Sequence, residues 1–90
     1  MRDIILEIIA KVPKGKYFDS HYVIDTIIKE HSDEYMDFIR ATSGPTEYVH
    51  SEIAKLIRDS GLVDRVSPGE DSYSYNIHWK PSFCVLWQRK

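Results

Sequence analysis

The stretch Pro45-Thr46-Glu47-Tyr48-Val49-His50-Ser51-Glu52-Ile53-Ala54-Lys55-Leu56-Ile57-Arg58-Asp59 carries a helical period and stops at Ser60-Gly61. The chain then runs into Leu62-Val63-Asp64-Arg65-Val66, a Pro68-Gly69 turn and the alternating Tyr73-Ser74-Tyr75-Asn76-Ile77-His78-Trp79. Val49, Ile53, Leu56 and Ile57 mark a buried helix face; Glu47, Ser51, Lys55 and Arg58 lie opposite, flanked by Thr46 and His50. Pro45 suits a first turn, because the N–H it lacks would be unpaired there anyway. After Gly61 the period changes to two, so Tyr73, Tyr75, Ile77 and Trp79 share one strand face and Ser74, Asn76 and His78 the other. The reading is one helix joined by a glycine to a β-hairpin.

Upstream, the pattern is helical. Ile4, Ile5, Ile8, Ile9 and Val12 recur at helical spacing until Pro13 and Gly15. Lys16-Tyr17-Phe18 is short and β-prone. Asp19 or Ser20 can cap a second helix with the stripe Val23, Ile24, Ile27 and Ile28. Ser32 can cap a third, with Asp33 and Glu34 in its first turn where the helix dipole favours negative charge, Tyr35, Met36, Phe38 and Ile39 on its apolar side, and Gly44 as its stop. Downstream, Phe83, Val85 and Trp87 alternate with Cys84, Leu86 and Gln88, which predicts one more strand. The fold class expected is α+β: three to four helices, then a small antiparallel sheet, in one domain over residues 1–90. Ile8, Val23, Ile27, Phe38, Ile53 and Leu56 are the expected core.

Ninety residues bury roughly 60–65% of the surface the unfolded chain exposes. A composition of 42% hydrophobic and 29% charged residues, close to the average soluble domain, argues against a disordered chain. One cysteine, Cys84, forms no internal disulfide. Asp3 and Glu7 interrupt the apolar N-terminal run, and no stretch reaches a membrane-spanning length. The expectation is a cytoplasmic protein without membrane contact.

The order helix, short strand, helix, helix, two-stranded wing resembles the winged helix-turn-helix superfamily over roughly residues 2 to 79. The stretches Phe18 to His21 and Asn76 to His78 resemble small bacterial proteins to which no activity attaches. The general resemblance implies duplex DNA binding, with the helix at 46–59 in the groove and Ser67 to Ser72 as the wing tip. Thr46, Glu47, His50 and Ser51 would then meet bases, and Lys55 and Arg58 phosphates. Lys14 and Lys16, with Lys11, form a basic cluster that could touch the backbone, but a solvated loop and tail is the commoner explanation. Against this stand a net charge of −2 and a wing tip holding Glu70 and Asp71 with no base. The alternative is a protein-interaction or structural module with the same fold and no nucleic-acid binding.

Tyr73, Tyr75 and Trp79 could form a stacking platform for bases, but aromatics on one strand face more often cover a core, and that is the expectation. Phe83, Val85, Leu86 and Trp87 either complete the core or form a contact with a protein partner or a second copy. His21, His31, His50 and His78 lack metal-ligand spacing, and no metal or cofactor is expected. Cys84 facing His78 across a hairpin would mimic a nucleophile and base, yet a half-buried thiol beside an incidental histidine is far commoner, and no enzyme is expected.

Overall fold

A computed structural model describes residues 1–66 and 71–90. Four helices come first: α1 (Arg2–Ala10), α2 (Ser20–Glu30), α3 (Ser32–Thr42) and α4 (Thr46–Arg58), with the short strand β1 (Tyr17–Asp19) between α1 and α2. Strands β2 (Val63–Arg65), β3 (Ser72–Tyr75), β4 (Pro81–Cys84) and β5 (Leu86–Arg89) follow. The fold is α+β, helices before an antiparallel sheet region. The Pro68-Gly69 turn and most of the wing tip expected at Ser67 to Ser72 lie outside the described residues. Among the described residues no helix is long and apolar enough to cross a membrane.

Local chemistry accounts for the helix ends. The Asp19 side chain, in extended backbone, accepts the Tyr22 N–H at 2.8 Å and caps α2. Ser43 closes α3 in a left-handed conformation (φ 52°), one residue before the expected Gly44. Gly44 is needed for another reason: a Cβ there would stand 2.6 Å from the Tyr48 ring. Pro45 is the residue before α4 rather than its first, and its carbonyl accepts from the Tyr48 and Val49 N–H groups.

The core joins α1, α2 and α4 to the three-stranded sheet. Ile5, Ile9, Val23, Ile27, Val49, Ile53 and Ile57 are fully enclosed. On α4 the inward residues are Val49, Ile53 and Ile57, at intervals of four; Leu56 lies at the edge of that stripe, half-buried. Phe38 is also only half-buried, and Tyr35 is the α3 residue that enters the core. Phe38 and Leu56, both expected in the core, lie at its margin instead.

Strand pairing departs further from expectation. The three-stranded sheet has the order β1-β5-β2, all antiparallel, with Trp87 opposite both Phe18 and Arg65. The segment after Gly61 therefore pairs with the C-terminal strand and not with Tyr73–Trp79. Tyr73–Tyr75 instead pairs with β4, Tyr73 opposite Phe83 and Ser74 opposite Ser82. The Asn76 side chain is the reason: its Oδ1 accepts the His78 and Lys80 N–H groups, at 2.9 and 3.3 Å, and closes a tight turn that ends the strand at Tyr75. The single strand expected over Phe83–Trp87 is two, interrupted at Val85, whose carbonyl accepts the Ser20 N–H.

The β3–β4 hairpin is inside out. Residues directly opposite in an antiparallel pair share a face, so Ser72, Ser74, Ser82 and Cys84 form one face and Tyr73, Tyr75, Pro81 and Phe83 the other. The serine face turns toward the body of the protein and the aromatic face toward solvent. Tyr73, Tyr75, Trp79 and Phe83 are 62%, 64%, 83% and 72% exposed, which overturns the expectation that this face covers the core.

Candidate functional site

The polar face of the hairpin lands on the start of α2. Asp19 Oδ2 accepts the hydroxyls of Ser72 and Ser74 at 2.7 and 2.9 Å, while Oδ1 is held by the helix cap. Ser74 Oγ also lies 2.6 Å from His21 Nδ1. Since the Ser74 proton goes to Asp19, donor counting assigns the His21 proton to Nδ1. His21 Nε2 then accepts from Ser82 Oγ at 3.4 Å, which in turn receives Asn76 Nδ2 at 3.3 Å. Cys84 Sγ stands 4.0 Å from Ser74 Oγ at the rim of this network. A two-stranded hairpin is marginal by itself; these bonds tie it to the helical body across more than fifty residues of sequence.

Physical chemistry explains the inverted faces. A half-buried carboxylate and imidazole at a helix start require hydrogen-bond partners, and the serine face supplies them, leaving the aromatics outside. Burial alone would raise the Asp19 carboxyl, but the bonds from Ser72, the Tyr22 N–H and Ser74, with His21 beside it, hold it below the ordinary carboxylate value. Burial pushes the Cys84 thiol above its ordinary value, ahead of an opposing bond from the His21 backbone N–H, and Asp19 adds to the rise. That is the opposite of what activates a cysteine nucleophile. Cys84 also neighbours His21, not His78, which sits exposed in the hairpin turn.

A cleft of about 350 Å³ separates the hairpin from α4. Thr46, Glu47, His50 and Ser51 line one wall, His21 and Ile24 the floor, and Asn76 to His78 with Ser82 to Val85 the other wall. The residues expected to read bases are thus gathered on one surface, facing the hairpin turn across this cleft. His50 is half-buried and bonded to the Tyr35 hydroxyl at 2.8 Å. Its pKa is lowered, by burial first and then by His21 and His78, against a pull from Glu47.

The expected phosphate contacts lie elsewhere and are largely neutralised. Lys55 pairs with the half-buried Glu52 at 2.9 Å, and Arg58, at the exposed end of α4, with Asp59 just beyond it at 3.0 Å. Lys14 and Lys16 flank Gly15 in an exposed turn and do not line the cleft. Of the expected partner surface, Trp87 is 3% exposed with its Nε1 donating to Ser20 Oγ at 3.0 Å, and Val85 and Leu86 are half-buried. Only Phe83 faces solvent, because β5 is the central strand of its sheet and not an edge.

Asp19 and His50 set the acid behaviour. Each has a folded-state pKa below its unfolded value, so each contributes stability that is present above the unfolded value and lost as pH falls through the folded one. Urea midpoints are expected to decline in two steps: first below the ordinary histidine value of about 6.5, then in the carboxylate range. His50→Gln should abolish the upper step and Asp19→Asn the lower; midpoints of the two variants that track wild type throughout would refute the assignment.

Asp19, His21, Ser72, Ser74, Ser82 and Cys84 were not legible as a site. The only local signals are Asp-x-His at 19 and 21 and Ser-x-Ser at 72 and 74, and neither shows which face turns inward. Comparison with protein-family models, with curated proteins and with solved structures finds no match to this chain.

Proposed function

We propose that this chain is a winged-helix-like interaction module that self-associates through the aromatic outer face of its β3–β4 hairpin. The observation that carries the reading is Trp79. It lies in the hairpin turn with φ of 59°, a left-handed conformation that glycine adopts freely and a bulky residue does not. Its ring is 83% exposed and 6.4 Å from that of Tyr75. Backbone strain that serves to display an indole to water points to recognition.

Area supports a second copy as the occupant. At roughly 200 Å² for a fully exposed aromatic, the four rings present about 550 Å², at the upper end of the apolar patch a monomer shows. Two such faces would bury about 1,100 Å², just above the threshold for a specific interface. The hairpin from Ser72 to Cys84 carries a single formal charge, Lys80, so two copies meet with little repulsion.

Sedimentation equilibrium over a wide concentration range is expected to show a weak monomer–dimer equilibrium, with Trp79 emission moving to shorter wavelength as dimer forms. Trp79→Gly should weaken the dimer at least tenfold while leaving the unfolding midpoint unchanged or higher, because glycine relieves the turn. A wild type that stays monomeric at millimolar concentration sinks this reading.

Duplex DNA binding through α4 is the second reading, favoured by the element order and by the gathering of Thr46, Glu47, His50 and Ser51 on one surface. Salt-dependent association with duplex DNA, abolished together with Lys55 and Arg58, would favour it over self-association.

A further inference from the structure

The serine face of the hairpin brings together three side chains of different chemistry from three elements: Asp19 at the end of β1, His21 in the first turn of α2, and Cys84 at the end of β4. One carboxylate oxygen, one ring nitrogen and the sulfur all lie within 4.8 Å of one another. Tetrahedral zinc bonds of 2.0–2.3 Å put neighbouring ligand atoms roughly 3.3–3.6 Å apart, so closure requires side-chain movement of about 1 Å. We propose that Asp19, His21 and Cys84 bind a divalent transition metal of the zinc class, leaving a fourth position open.

The geometry within the cluster favours this set. Ser74 Oγ stands between the three donors, 2.9 Å from Asp19 Oδ2, 2.6 Å from His21 Nδ1 and 4.0 Å from Cys84 Sγ. This hydroxyl contacts all three donors, so it must rotate aside for a metal to reach them. A metal arriving there takes Nδ1, and the His21 proton moves to Nε2, where Ser82 Oγ, at 3.4 Å, becomes the acceptor. The Cys84 thiol gives up its proton to solvent as the sulfur takes the metal, since a cysteine ligates as the thiolate. A mixed nitrogen, sulfur and oxygen donor set suits zinc and cobalt and disfavours calcium or magnesium, which take oxygen ligands.

Cobalt(II) added to the reduced, untagged full chain is the probe. A sulfur-to-cobalt charge-transfer band in the near ultraviolet is expected, with strong visible bands that four-coordination produces, both displaced by zinc. Cys84→Ser should remove the ultraviolet band. His21→Gln and Asp19→Asn should weaken cobalt binding by at least the roughly 10–100-fold that loss of a ligand-orienting partner costs; asparagine at 19 still caps α2. Ser74→Ala removes the competing hydroxyl and should retain the band with tighter binding. If the cluster is only a hydrogen-bonded latch, wild type shows no charge-transfer band at millimolar cobalt and Ser74→Ala merely lowers the unfolding midpoint. That outcome overturns the proposal, as does a band that survives in a folded Cys84→Ser chain. Should Cys84→Ser fail to fold by circular dichroism, unchanged cobalt affinity in His21→Gln overturns it equally.

Discussion

Replacing Trp87 with Ala should destabilise the fold by about 3–5 kcal/mol, the usual cost of removing a buried indole. Trp87 is 3% exposed and sits on the central strand, opposite Phe18 of β1 and Arg65 of β2. Its removal opens a cavity beneath both neighbouring strands and leaves the buried Ser20 hydroxyl without the indole N–H at 3.0 Å. Trp87→Phe separates the two effects: it restores most of the ring volume but leaves the Ser20 oxygen unpaired, a loss of about 1–3 kcal/mol. Urea unfolding followed by circular dichroism should therefore rank wild type above Trp87→Phe and that above Trp87→Ala. A small domain holds only about 5–15 kcal/mol in total, so the alanine variant should be partly unfolded near body temperature. Equal midpoints for the three chains would mean that β5 does not occupy the centre of the sheet.

Ile53→Ala is expected to cost about 2–5 kcal/mol. Ile53 is fully enclosed on α4 between Val49 and Ile57, also enclosed, and α4 packs on α1, α2 and β2. With helices on both sides, the space left by three methylene-sized groups has no easy way to collapse. Leu56→Ala is the internal control. Leu56 lies at the edge of the stripe and is half-buried, so its truncation should cost clearly less than that of Ile53. The reverse order in denaturant midpoints would mean that α4 is rotated from the orientation described.

Trp87 and Ile53 also differ in how far they could be read in advance. The inward face of α4 follows from a 3.6-residue period in which Val49, Ile53 and Ile57 fall on one side, and every part of that signal lies within thirteen residues. Leu56, read as core, is only half-buried, because a helix stripe has soft edges and which edge is covered depends on the neighbouring helices. Trp87 gave a local sign of a strand but none of its position; that it is central follows from β1 and β2, some seventy and twenty residues earlier in the chain.

The amino-acid sequence by itself determined a run of three to four helices, their order, a cap at Asp19 or Ser20 and the change from helical to alternating pattern after Gly61; the structure settles on four helices and on Asp19. These features rest on interactions between residues a few positions apart, whose chemistry travels with the chain. Tertiary structure alone decided which strands pair and which way the β3–β4 hairpin faces. Alternation states that Tyr73, Tyr75 and Phe83 lie opposite Ser72, Ser74 and Ser82, and the ordinary preference for burying aromatics would turn the rings inward. Asp19 and His21 reverse that choice. The hydroxyls that bond the half-buried carboxylate and imidazole sit on the serine face, more than fifty residues along the chain.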